Sequence, residues 1–326
     1  MNPVRVGVWG VGAWGEKHAR VYHAIPEAEL VGVYDHHPGR AAEVAARHGA
    51  RVFDDPEALL AEVEAVSVAV PTVGHRAAVE AACAARVHVL VEKPMAVTVA
   101  EADAMCAAAE RAGVQLQVGQ VERFNPALLA ARPMVKAPKF IEAHRLALFQ
   151  PRSLDIDVVF DLMIHDIDAV LHCVGTPPER VSAVGVAVLS RNEDIANARL
   201  EFPGGAVANL TASRVSKERM RRIRFFQADG YLAVDLLDKS AELLRIDVAR
   251  FRPDAPLEAI QRGKLDVGAG EPLTLELEAF LRSLRDPRMP GAAPAAAGRE
   301  ALRIAEEVRA EIKRRAGQWA IPSAAY

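Results

Sequence analysis

Along the first 120 residues, short apolar runs alternate with longer stretches whose apolar positions recur at helical spacing. Residues 4–9, Val-Arg-Val-Gly-Val-Trp, alternate as a strand; residues 30–34 form a second, and 51–53, 65–70, 87–91 and 114–118 are further strand segments. Between them lie an amphipathic stretch through Tyr22, a helix from Pro56 with Asp54 or Asp55 as its cap, and Ala-rich helices over 74–85 and 99–112. The later strands are unbroken Val and Leu runs, the pattern of strands buried on both faces. This rhythm predicts a parallel, doubly wound sheet, in which ligands lie off the carboxyl ends of the strands.

From Lys139 onward the pattern changes to longer alternating strands at 140–149, 180–189, 196–202, 206–213, 222–228 and 231–236. The Phe202-Pro203-Gly204-Gly205-Ala206 and Asp229-Gly230 turns join neighbours as hairpins, so the second sheet is mainly antiparallel. An apolar helix over 158–174 stops at Gly175 before Pro177 and covers one sheet face. The Pro- and Gly-bearing stretch 253–272 reads as a loop able to close over a ligand, and 287–297 as a connector into a final helix, 298–315.

Composition narrows the partners. Apolar residues make up 51% and charged residues 25%, and the formal net charge is −3, which disfavours nucleic acid and anionic membranes and leaves a small molecule. Cys83, Cys106 and Cys173 are widely spaced and form no Cys-x-x-Cys pair, so neither a disulfide framework nor a zinc ribbon is expected, and a reducing cytoplasm is the expected compartment. No apolar run reaches the roughly 18 residues of a membrane span, and glycines from Gly7 interrupt any secretory core.

The turn after the first strand, Gly10-Val11-Gly12-Ala13-Trp14-Gly15, fits G-x-G-x-x-G at a strand-to-helix junction. The second strand ends in Asp35, 20 residues beyond Gly15, where a carboxylate accepts hydrogen bonds from the adenosine ribose of NAD and repels the 2′-phosphate of NADP. NAD is therefore expected over NADP, with His36, His37 and Arg40 as the cationic neighbours that weigh the other way. Strand-end segments bring three further groups to the ligand edge: Pro71, Thr72 and His75; Glu92-Lys93-Pro94; and Gly119-Gln120-Val121-Glu122-Arg123. Taken together these are the cofactor-binding candidates Gly10, Gly12, Ala13, Trp14, Gly15, Asp35, Pro71, Thr72, His75, Glu92, Lys93, Pro94 and Gln120.

Glu92-Lys93-Pro94 at a strand end, behind that fingerprint, resembles the signature of the Gfo/Idh/MocA family of NAD(P)-dependent sugar and polyol oxidoreductases. Pro71, Thr72 and His75 resemble its loop after the fourth strand, and Asp161-Leu162-Met163-Ile164-His165 its Asp-x-x-x-His pair. The stretches 121–126 and 161–168 look most like the branch acting at C3 of UDP-N-acetylglucosamine or its uronate. The resemblance implies an α/β Rossmann domain over 1–122 and an α+β substrate-binding and oligomerisation domain over 123–326, its sheet covered by a second subunit in a homodimer or homotetramer. It implies a dehydrogenase of a sugar secondary alcohol; a free sugar or inositol is the alternative substrate, and a non-catalytic NAD sensor the alternative of another class.

Helical geometry supports a polar site independently. At about 100° per residue, Asp161, His165, Asp168 and His172 fall within an arc of about 60° on an oily helix, with Asp166 on the far side. Buried polar groups need partners, so the stripe lines a cavity or a network. In alcohol oxidation a base removes the hydroxyl proton as hydride leaves the carbinol carbon; His165 suits that role near neutral pH, with Asp161 as its partner or a hydroxyl ligand. Lys93 is placed to hydrogen-bond the same oxygen and stabilise developing charge. Arg123 and Asn125, just past the last Rossmann strand, are the further substrate-binding candidates, Arg123 for a diphosphate or carboxylate and Asn125 for a sugar hydroxyl. No ligand cluster beyond Asp161, His165 and Asp168 points to a metal, so none is expected. Arg214, Lys217, Arg219, Arg221, Arg222 and Arg224 crowd one stretch, which reads as a solvated strand and loop or as a phosphate contact.

Overall fold

The computed structural model describes residues 2–150, 156–247 and 249–316. The chain divides into two compact units, Met1–Phe124 with Gly270–Leu302, and Asn125–Ala269 with Arg303–Tyr326.

The first unit alternates strand and helix: β1 (Val4–Trp9), α1 (Ala13–Ala24), β2 (Ala28–Tyr34), α2 (Pro38–His48), β3 (Arg51–Val52), α3 (Pro56–Leu60), β4 (Ala65–Val68), α4 (His75–Ala84), β5 (His88–Glu92), α5 (Val99–Ala112) and β6 (Leu116–Gly119). Local chemistry marks the boundaries. The Asp55 carboxylate accepts from the Ala58 N–H at 2.7 Å to start α3, and the Thr98 hydroxyl accepts from the Glu101 N–H at 3.2 Å to start α5. The six strands are parallel in the order β3-β2-β1-β4-β5-β6. That order reverses between β1 and β4, the switch point beside which doubly wound sheets bind ligands.

In the second unit a short α6 (Pro126–Ala131) leads into β7 (Phe140–Leu146); a π-helical turn, Val159–Met163, then runs into α7 (Ile164–Val174), which Gly175 ends with φ +81°. The strands β8 (Arg180–Val186), β9 (Ile195–Glu201), β10 (Val207–Ser213), β11 (Met220–Gln227), β12 (Gly230–Asp235), β13 (Ser240–Ile246) and β14 (Ile260–Lys264) follow. They form one eight-stranded sheet in the order β14-β13-β12-β11-β7-β10-β9-β8, antiparallel except where β7 meets β10. The period-2 alternation buries Ile141, Ala143, Ala208, Leu210 and Ala212 on the face that packs α7. The opposite face, with Phe140, Glu142, His144, Asn209 and Thr211, stays partly exposed.

One expectation is corrected. Residues 253–272 are not a loop: they hold a short turn, Pro256–Ala259, and the edge strand β14, whose Leu243↔Gly263 pairing extends the sheet beyond β13. Polar β14 offers no alternation to read. Residues 270–302 return to the first unit with α8 (Pro272–Arg285), β15 (Ala293–Pro294) and the start of α9 (Ala295–Ala316). Leu273, Leu277, Phe280 and Leu281 of α8 join the core of Val6, Val8, Tyr22 and Val33, and β15 pairs antiparallel with β6. Among the described residues no helix is long and apolar enough to cross a membrane.

Candidate functional site

The dinucleotide fingerprint is built from backbone. Gly10 takes φ +87°, which lets the chain turn out of β1, and a Cβ on Gly15 would lie 1.8 Å from the Gly10 carbonyl oxygen, so α1 can approach the strand only without a side chain there. Gly12 faces open space at the start of α1, and no side chain caps that helix. Ala13 and Trp14 are exposed beside it. The first N–H groups of α1 are thus offered to an anion with the helix dipole behind them, which is what a dinucleotide diphosphate requires. At the end of β2 the Asp35 carboxylate accepts from the Val11 N–H at 2.8 Å and the His37 N–H at 2.9 Å, tying the ribose-binding position to the glycine turn. His36 and Arg40 approach it at 3.6 and 3.8 Å. Pro71 is exposed and Thr72 half-buried on the turn after β4, across the switch point. Gln120, past β6, is 2% exposed with its side-chain oxygen unbonded, a buried amide able to take a ligand donor. These residues fit a nicotinamide dinucleotide.

Behind β5 lies a buried relay. Nδ1 of His18 is 3.0 Å from the Ser67 hydroxyl, which is 2.8 Å from the Tyr22 hydroxyl, and Nε2 of His18 is 2.9 Å from Oε1 of Glu92. Burial pushes the Tyr22 hydroxyl pKa up. The other Glu92 oxygen accepts from the Lys93 N–H at 3.1 Å, and Pro94 follows through a cis peptide bond. Lys93 itself is half-buried. Glu92 therefore turns inward to fix the backbone that carries Lys93. His75 is 1% exposed; its Nδ1 lies 3.0 Å from the Pro94 carbonyl and its Nε2 2.9 Å from that of Val70, so it clamps the strand-end loops together rather than facing outward. Burial depresses its pKa despite these carbonyls, which favour the charged ring.

In the second unit, the residues expected to act on a substrate lie around the start of α7. Asp157 accepts from the Val159 and Phe160 N–H groups at 3.0 and 3.1 Å and opens the π turn; burial raises its pKa. The wider turn carries Asp161, half-buried, into α7, where His165 is half-buried and Asp168 fully buried. Asp166, on the far side of the polar stripe, accepts from Nε and Nη2 of Arg145 on β7 at 3.0 and 2.8 Å, with both residues 2% exposed. This pair anchors the helix to the sheet and so sets the direction of the stripe.

Arg123 is half-buried on the turn Val121–Phe124, and its N–H donates to the Gln120 carbonyl at 3.0 Å. Asn125, expected to take a sugar hydroxyl, follows that turn at the start of α6. It is 3% exposed, its side-chain oxygen caps α6 by accepting from the Ala127 N–H, and its amide donates to the Leu236 carbonyl. Among the described residues no group of three metal-ligating side chains occurs. His18, Ser67 and Arg145 escaped the sequence reading; a histidine one helical turn past Gly15 was the available signal.

This arrangement agrees with the relatives. Residues 4–120 match the NAD-binding Rossmann domain of the Gfo/Idh/MocA oxidoreductase family, and residues 143–233 match a C-terminal domain of the same family. The chain is 42% identical over 314 residues to the UDP-N-acetylglucosamine 3-dehydrogenase of Acidithiobacillus ferrooxidans, covering 96% of this chain and 98% of that protein. The chain belongs to the Gfo/Idh/MocA family. It is an oxidoreductase with a nicotinamide dinucleotide site. A solved structure of the Acidithiobacillus enzyme superposes with a TM-score of 0.90 at 41% identity, covering 96% of this chain and 99% of that one. The myo-inositol 2-dehydrogenase of Thermotoga maritima is 27% identical over 300 residues, 82% of this chain and 90% of its own.

Proposed function

We propose that the protein oxidises C3 of UDP-N-acetylglucosamine, or of its uronate, with NAD as the hydride acceptor. The observation that carries this reading is the 42% identity to a UDP-N-acetylglucosamine 3-dehydrogenase along nearly the whole of both chains, both units included. NAD is favoured over NADP because Asp35 is held by the Val11 N–H at the ribose position, where its charge repels a 2′-phosphate. The cofactor residues are Gly10, Gly12, Ala13, Trp14, Gly15, Asp35, Pro71, Thr72, Glu92, Lys93, Pro94 and Gln120, with His75 acting through the loops it clamps.

The catalytic residues are Lys93, Asp161 and His165. The bound nicotinamide supplies the carbon that accepts hydride. His165 accepts the proton from the substrate hydroxyl, the general-base role that imidazoles commonly fill. Asp161, four residues earlier, orients the ring or accepts from a neighbouring hydroxyl. The Lys93 ammonium donates to the reacting oxygen and stabilises charge as the proton leaves; the relay through Glu92 and His18 holds its backbone, so little reorganisation is needed during reaction. Arg123 is assigned to the substrate's charged end. The partly exposed face of the eight-stranded sheet, where Phe140, Phe226 and Tyr231 stack, is the surface assigned to a homodimer or dimer of dimers. Free cysteines fit a cytoplasmic enzyme.

Purified protein with NAD is mixed with UDP-N-acetylglucosamine, its uronate, glucose or myo-inositol, with a keto acid acceptor present in parallel and product detection in every arm. Reduced nicotinamide or oxidised product with the UDP-sugars alone is the expected result. Turnover of inositol alone moves the assignment toward the Thermotoga-like activity, and NAD binding without turnover of any substrate sinks the enzymatic reading.

A further inference from the structure

Every polar side-chain atom of the relay behind β5 has a partner. Nε2 of His18 faces Oε1 of Glu92 at 2.9 Å and Nδ1 faces the Ser67 hydroxyl at 3.0 Å, with the Tyr22 hydroxyl 2.8 Å beyond. Oε2 of Glu92 accepts from the Lys93 N–H at 3.1 Å. His18, Ser67 and Tyr22 are 0% exposed and Glu92 is 9% exposed. A buried network satisfied throughout is rigid.

Donors and acceptors fix its direction. A carboxylate accepts, so the ring hydrogen of His18 that faces Glu92 sits on Nε2. Nδ1 then accepts from the Ser67 hydroxyl, and the Ser67 oxygen accepts from the Tyr22 hydroxyl. Burial pushes the Tyr22 pKa up, so the phenol keeps the hydrogen that it donates. The chain of bonds ends inside the protein, because Tyr22 and Ser67 are enclosed. It orients groups and carries no proton to solvent.

What it orients is Glu92, the last residue of β5. Gly119 pairs with Glu92 across β5 and β6, and a Cβ there would lie 3.0 Å from Oε1, so the glycine leaves the room into which the carboxylate turns. With Oε1 taken by His18, Oε2 is left for the Lys93 N–H. The two ring nitrogens thus act differently: Nδ1 ties the ring to β4, and Nε2 grips the end of β5.

We propose that His18 is a positioning residue for the reaction, whose Nε2–H holds Glu92 in the orientation that fixes the main chain of Lys93. This rests on the assignment of Lys93 to the chemistry. His18 is fully enclosed and acts through Glu92 alone. A displacement of about 1 Å at a reacting group can cost about 10²-fold in rate, so the loss of His18 is read in kcat and not in binding.

Asparagine and glutamine separate the two nitrogens. The amide nitrogen of Asn takes the place of Nδ1 and that of Gln the place of Nε2, so His18→Asn keeps a partner for Ser67 and strands Glu92, whereas His18→Gln keeps the donor to Glu92. Wild type, both variants and Lys93→Met are compared by steady-state kinetics in the proposed reaction and by hydrogen exchange at the Lys93 amide, resolved by NMR. His18→Asn is expected to lower kcat by about 10- to 100-fold, to change KM for NAD and sugar by less than about 2-fold, and to speed exchange at Lys93 by about 10-fold or more. His18→Gln recovers most of both losses, and the two variants melt together. Equal kcat in the two His18 variants, or exchange at Lys93 that neither alters, overturns the assignment, since a histidine kept for packing alone would not distinguish Asn from Gln in this way. The exchange measurement needs no substrate and so tests the grip on Lys93 whatever sugar is oxidised. Normal turnover by Lys93→Met removes Lys93 from the chemistry and the role of His18 with it; lost turnover there beside normal turnover in His18→Asn overturns the role of His18 alone.

Discussion

In the first unit the groups turned toward the ligand are mostly backbone: the uncapped start of α1, the Gly10 turn, and an Asp35 carboxylate tied to a main-chain N–H. In the second unit the candidate groups are side chains, Asp161 and His165, and four arginines line a cavity with Asp161, two of them fixed by buried carboxylates. A backbone site needs the same few glycines wherever it occurs, because sterics and the helix dipole do the binding. A side-chain site depends on which partners the sheet happens to bring beneath it. The first kind serves a constant cofactor; the second can be altered to suit a substrate without disturbing the frame.

The sharpest way to separate the two regions is His165→Ala. Turnover should fall by about 10² to 10⁴ while NAD affinity, read by fluorescence titration, is unchanged; normal turnover would remove His165 from the chemistry. Arg145→Ala tests whether the second site depends on its buried counter-ions. Leaving the Asp166 carboxylate buried without its partner should cost about 3–5 kcal/mol in urea unfolding, whereas the pair replaced by Met and Leu should recover most of that loss. A small effect of the single change would mean that Asp166 does not anchor α7. A milder test of the backbone-built region is Asp35→Ala, which should weaken NAD by about 10-fold and narrow the preference over NADP; an unchanged preference would hand the choice to His36 or Arg40.

The smallest expected effect is on pH dependence. The folded-state pKa of His75 lies below its unfolded value, so protons bind the unfolded chain preferentially as pH falls. Its share of the stability is complete above about pH 6.5 and is lost as pH drops below that value. Urea midpoints at pH 7.5 and 5.5 should differ for the wild type and converge for His75→Asn. Equal pH slopes in the two proteins would place the acid sensitivity elsewhere.

Sequence periodicity reached the Rossmann strands and the core of the antiparallel sheet because Val, Leu and Ala runs carry burial directly, as in β4, whose four residues are all buried. It missed β14, since Gln261, Arg262, Gly263 and Lys264 are exposed and the strand offers no apolar alternation. It also missed α8, although Leu273, Leu277, Phe280 and Leu281 keep helical spacing behind Pro272; the surrounding Pro and Gly residues read as a loop. His18 looks like one more polar residue on α1 until Ser67 and Glu92, 49 and 74 positions away, close around it. Asn125 likewise caps α6 and reaches the Leu236 carbonyl, 111 positions away, a contact no local pattern shows.

By itself the sequence determined the dinucleotide turn and the carboxylate at the end of β2, because each depends on residues near one another in the chain and on local sterics. Only tertiary structure decided which carboxylate grips Arg145, that His18 braces Glu92, and that four arginines share a cavity with Asp161. Those contacts join distant segments, and their strength comes from burial, which no local pattern specifies.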